Sequence, residues 1–154
     1  MNQMMMNLRS SIAMLVAAVA AAAHAGEGCT RLKPASVYYR LHQTNGFDVV
    51  LQVTNADAGA AARPSPSVRV LAWQNKEPEG PMNVRPDGAG TGVLGTREGL
   101  DITVHWNNGT VGVYTARART LRRGFELVGG KTYDAVHPSS QATWASKDRL
   151  TCAD

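Results

Sequence analysis

The sequence predicts an all-β single domain: an antiparallel sandwich or small barrel of about seven to eight short strands, closed by a disulfide joining its ends. Three observations carry this. Apolar and polar residues alternate with a period of two along most of the chain after residue 26, the pattern of half-buried strands. Gly, Pro and Asn cluster between the alternating runs, where tight connections belong. The two cysteines, Cys29 and Cys152, stand near the two ends of this region.

The first 25 residues are set apart. Arg9 lies in a short polar start, an uncharged apolar run follows from Ile12 to Ala23, and Ala23-His24-Ala25 has the small-x-small form of a cleavage site. This is the layout of a secretory signal peptide. The run is too short for a membrane-spanning helix, which needs about 20 residues. Residues 26–154 are therefore expected to form one domain outside the cytosol, periplasmic or secreted, with no transmembrane segment. A lipid anchor on Cys29 fits poorly, because Gly26-Glu27-Gly28 lacks the pattern that precedes a lipidated cysteine. It would also leave Cys152 unpaired in an oxidising compartment.

Removing residues 1–25 of 154 leaves 129, enough for a real core. It leaves 15 basic against 12 acidic side chains, a net charge of +3. That mild excess favours acidic partners over basic ones but is too small for a nucleic-acid surface.

The alternating runs follow in order. Ser36–His42 is the first, and Phe47, Val49, Leu51 and Val53 alternate through the second. The turn between them is Thr44-Asn45-Gly46. A three-residue loop with Gly46 left-handed pairs Leu41 with Val49, Tyr39 with Leu51 and Val37 with Val53, which keeps one face apolar. It also sets His42 opposite Asp48. Ser67–Gln74 is the third run. Here Val68, Val70 and Ala72 compete with Leu71 for the inner face, leaving the side of Trp73 open.

Leu100, Ile102, Val104 and Trp106 alternate in the next run, which turns at Asn107-Asn108-Gly109 into Thr110–Arg119. A two-residue loop would drive Arg117 and Arg119 inward. A three-residue loop pairs Ile102 with Tyr114 and Leu100 with Ala116 and turns both arginines outward, which burial costs favour. A bulge near Thr115 is the device that would permit the alternative, and Asp101 is a candidate cross-strand partner for Arg117. Gly124–Val128 and Gln141–Ser146 complete the set. Ala56–Pro66 and Asn75–Gly92 read as long loops, the second with three prolines.

Motifs of known chemistry are few. His42, His105 and His137 have no metal-ligand spacing, and no metal site or cofactor is predicted. Gly88-Ala89-Gly90-Thr91-Gly92 lacks the lysine and helix of a phosphate loop. Asp134, His137 and Ser139 or Ser140 are near in sequence, but turns use the same residue types. Oxidised cysteines offer no thiolate nucleophile.

Aromatic and basic residues are the stronger lead. Tyr38 and Arg40 point outward in the favoured register, with Trp73 beside the long loop and His105, Arg117 and Arg119 on another outward face. Aromatic rings stack on sugar C–H groups while planar polar side chains bond hydroxyls. The expectation is a non-enzymatic exported module binding a carbohydrate or anionic envelope polymer through Trp73, Tyr38, Arg40, His105, Arg117 and Arg119. The alternatives are a protein-interaction or inhibitor domain acting on another exported protein through loop 75–92, and a small hydrolase.

Overall fold

The computed structural model describes residues 29, 31–56, 66–78 and 84–153, so the expected signal peptide and most of loop 56–66 lie outside the described residues. Eight antiparallel strands form a closed up-and-down barrel: β1 (Ser36–Gln43), β2 (Asp48–Asn55), β3 (Ser67–Gln74), β4 (Gly88–Gly95), β5 (Gly99–Trp106), β6 (Val111–Thr120), β7 (Phe125–Asp134) and β8 (Gln141–Ala145). Each strand pairs with its sequence neighbours, and β8 returns to β1. Of the two predicted architectures, the barrel is the one adopted.

Both hairpin registers follow the buried face. Tyr39 stands opposite Leu51 and Leu41 opposite Val49, with Gly46 at φ 87°. His42 faces Asp48, their side chains 3.0 Å apart. Ile102 pairs with Tyr114 and Leu100 with Ala116, and Gly109 has φ 88°. Three-residue loops with a left-handed glycine match the strand twist at these turns.

β4 corrects the expected loop. Residues 88–92 are strand, not connection. Their sequence shows no alternation because glycines take alternate positions where the sheet coils tightly: a Cβ on Gly92 would lie 2.8 Å from the Ile102 side chain, besides closer backbone clashes. Glycine at a barrel corner permits that approach. β7 also extends beyond its predicted end at Val128 to Asp134. An extra residue enters it between Val128 and Lys131, opposite the step from Arg117 to Thr115, with Gly129 at φ 65°. The irregularity lies beside Thr115 but on the β6–β7 ladder, so the β5–β6 register is unaffected. The bulge resets the alternation, placing Gly130 and Thr132 inward.

An eight-stranded barrel is just wide enough for side chains to fill. Tyr39, Leu41, Leu51, Val53, Leu100, Ile102, Val104 and Phe125 are 2% exposed or less and occupy the interior. Outward positions carry Gln52, Thr54, Arg69, Asp101, His105, Arg117 and Lys131. This is the reverse of a transmembrane barrel, whose lipid-facing side is apolar. Among the described residues, no helix is long and apolar enough to cross a membrane.

The chain ends close one end of the barrel. Cys29 and Cys152 form a disulfide across a sequence separation of 123. Leu32 bridges to Cys152 and Leu150 to Phe125. The Asn55 amide receives the Leu32 N–H and donates to its carbonyl, standing in for a strand partner. Leu32 and Leu150 are buried with the core. The connections β1–β2, β3–β4, β5–β6 and β7–β8 gather at the opposite end, here called the mouth.

Candidate functional site

The six residues singled out from sequence fall into two separate groups. Arg40, Val50 and Trp73 are consecutive cross-strand neighbours on the outer wall of β1–β3. Tyr38 packs against Trp73, ring centroids 6.1 Å apart. The chain after β3 folds back over this wall. Trp73 is 4% exposed, and its ring N–H donates to the Val84 carbonyl at 2.8 Å. The Arg40 guanidinium takes the Glu77 carboxylate at 3.1 and 3.3 Å, and its backbone N–H donates to Asp148 at 2.7 Å. Trp73 and Arg40 thus hold the β3–β4 connection, and Arg40 the segment after β8, against the barrel.

His105, Arg117 and Arg119 lie on the outer wall of β5–β6 and are exposed. Arg119 pairs with Glu126. Arg117 lies over Gly129, and Asp101 stands opposite Thr115. Asp134 and His137 approach to 3.4 Å on the exposed β7–β8 turn. The Val136 N–H bonds the Asp134 carboxylate; with the His137 contact it outweighs desolvation and holds that carboxyl below the ordinary range. Neither Ser139 nor Ser140 hydrogen-bonds the His137 ring, so no nucleophile–base pair is formed among these residues.

The mouth contains a different constellation. A pocket of about 360 Å³ opens between the β1–β2 turn, the end of β3, the start of β4 and the β5–β6 turn, lined by Phe47, Gln74, Asn75, Lys76, Asp87, Trp106, Asn107 and Asn108. Its volume falls within the range of small-ligand sites, and barrel mouths are a common place for them.

Local sequence explains each wall. Trp106 ends β5 between glycines of both neighbouring strands. A Cβ on Gly88 would lie 3.0 Å from its six-membered ring, and one on Gly112 would lie 3.0 Å from its Nε1. Larger residues there would displace the indole. Below it, the Tyr114 hydroxyl faces Thr132, Gln43 and the Trp106 ring N–H. Burial raises the Tyr114 pKa against the effect of those groups. Phe47 follows the Gly46 turn and is 44% exposed, a large apolar ring left in water at the rim.

Asn75 has φ 53°, the one non-glycine residue at positive φ among the described residues. Asparagine tolerates this region better than most residues. Both its N–H and its Oδ1 bond the Asp48 backbone, at 2.8 and 2.9 Å. Asp87 accepts from the Gln74 N–H and the Lys76 ammonium, each at 2.9 Å. Burial alone would raise the Asp87 carboxyl, but these two bonds outweigh it and hold the pKa below its ordinary value. Asn107 donates from its side chain to the Pro86 carbonyl, and Asn108 Oδ1 receives the Thr110 N–H.

After these bonds, unused polar capacity remains around the pocket. Among the described residues, the Asn75 and Asn108 NH₂ groups, the Asn107 Oδ1 and the whole Gln74 side-chain amide lack hydrogen-bond partners. The site thus offers two aromatic side chains with donors and acceptors in one open concavity. Its residues come from four segments, so no single stretch of the sequence marks it. The available signal was topological: in a meander, alternate turns share one end, so Phe47, Asn75 and Asn107-Asn108 converge once the ring closes.

Comparison with known protein families, curated proteins and solved structures gives no match for this chain.

Proposed function

We propose that the protein is an exported, non-enzymatic carbohydrate-binding module whose ligand occupies the mouth pocket. The observation that carries this is the pairing of Phe47 and Trp106 with the unused amide groups of Gln74, Asn75, Asn107 and Asn108. A sugar hydroxyl both donates and accepts hydrogen bonds, as a side-chain amide does. The sugar ring's C–H face is apolar and matches an aromatic ring. Asp87 is held ionised beside Lys76, which gives the pocket a neutral ion pair and favours an uncharged sugar.

The disulfide and the predicted signal peptide support an extracytosolic location. The wall of Tyr38, Arg40 and Trp73 is less suited to the ligand, since Trp73 is buried and Arg40 is engaged by Glu77.

Binding of soluble neutral oligosaccharides, followed by calorimetry, tests the proposal. Phe47→Ala and Asn108→Ala are surface changes, and each is expected to weaken binding about fivefold or more, as loss of about 1 kcal/mol implies. Unchanged affinity in both variants would refute the site. A second reading, a protein partner, is favoured by Phe47 and Val136, which is 68% exposed on another mouth connection. Val136→Asp separates the two: a protein interface loses affinity, and a sugar site in the pocket does not.

A further inference from the structure

The closed end of the barrel has a charge distribution that the mouth does not share. The described connections there are 96–98 and 121–124, with the terminal segments 31–35 and 149–153 crossing between them. Thr96 and Cys29 exchange hydrogen bonds, the disulfide leads to Cys152, and Leu150 pairs with Phe125. Lys33, Arg97, Arg122, Arg123 and Arg149 are carried on these segments, and all are exposed. None forms an ion pair among the described residues. Glu98 is the one carboxylate on the same described segments. At the mouth end and on the walls, Lys76, Arg40 and Arg119 are matched by Asp87, Glu77 and Glu126; exposed Arg69, Arg85, Arg117, Lys131 and Lys147 have no ion pair among the described residues, but these regions also carry Asp48, Asp101, Asp134 and Asp148.

We propose that this end is a docking surface for an anionic phospholipid membrane. Two observations select a membrane over a small anion. The five cations are spread over four segments, 31–35, 96–98, 121–124 and 149–153. Among the described residues, the end itself is filled by buried Cys29, Leu32, Phe125 and Leu150. A broad array of separated charges over a closed end fits a plane of phosphate headgroups. Arginine supplies most of it, and guanidinium groups suit phosphate geometry.

The exposed large apolar residues among those described are Phe47, Leu71 and Val136, none of them on these segments. Attachment through these cations is electrostatic and reversible by salt. It would leave the mouth facing away from the bilayer. This inference is independent of what the mouth binds.

The test is co-sedimentation of the purified protein with phosphatidylcholine vesicles containing about 30 mol% phosphatidylglycerol, against phosphatidylcholine alone. Binding is expected to the anionic vesicles alone and to vanish at about 0.5 M salt, where the Debye length is only a few ångströms. The triple variant R97Q/R122Q/R123Q is expected to lower the partition coefficient about a hundredfold, from about 1 kcal/mol per basic side chain. The R97K/R122K/R123K variant keeps the charges and is expected to bind like the parent. Equal binding to neutral vesicles, retention in the glutamine variant or loss in the lysine variant each overturns the proposal. Phe47→Ala is expected to leave vesicle binding unchanged, so failure here and failure of the mouth site are distinguishable.

Discussion

Gly130→Ala is expected to be severely destabilising, although it adds one methyl group to a strand. Gly130 faces inward opposite Trp144 on β8. A Cβ there would overlap Cδ2 and Cε2 of the indole and lie 2.6 Å from Cε3. Overpacking relieved by small shifts costs about 1–3 kcal/mol. Here three ring atoms are obstructed at once, and the ring is pinned by its N–H bond to the Lys131 carbonyl at 3.0 Å. The indole must leave its site, so the cost approaches the about 3–5 kcal/mol of truncating a buried tryptophan. Urea denaturation of the parent, Gly130→Ala, Trp144→Ala and the double variant measures this. With the ring gone the methyl group has room, so the double variant should be no less stable than Trp144→Ala alone. A Gly130→Ala cost under about 0.5 kcal/mol, or additive losses in the double variant, would refute the packing described.

Two further outcomes are expected. Replacing both cysteines by serine should cost up to about 5 kcal/mol in urea denaturation, the loop-entropy figure for closing nearly the whole domain, while leaving mouth binding intact in the folded fraction. An unchanged midpoint would show that the bond constrains little. Asp87 has a folded pKa below its ordinary value of 3.8, so its stabilising contribution is complete above that value and is lost as pH falls through the folded pKa. Asp87→Asn should therefore flatten the stability profile below pH 3.8, and an unaltered acid profile would contradict the assignment.

The hairpins were legible because each combined a turn glycine with an apolar face that only one register preserves. Gly46 and Gly109 set the loop geometry, and Arg117 and Arg119 ruled out the competing register by the cost of burying them. β4 was illegible for the opposite reason. Its inward positions from residue 88 to 92 are glycines, whose role is to let β5 and the Trp106 ring approach, and close approach leaves no hydrophobic period. Trp73 was ambiguous because it is both outward and buried, under a connection whose folding depends on Glu77 reaching Arg40 from 37 residues away. The mouth pocket was hidden more deeply. Its residues are ordinary turn formers taken singly, and their convergence depends on β8 closing onto β1.

The most direct test is an NMR titration of the protein with soluble neutral oligosaccharides, following backbone amides, the Trp106 indole N–H and the side-chain amides of Gln74, Asn75, Asn107 and Asn108. Saturable shifts confined to these groups and to Phe47 are the predicted result. Shifts centred on the outer wall at His105, Arg117 and Arg119, or none with any oligosaccharide, would contradict a carbohydrate site at the barrel mouth.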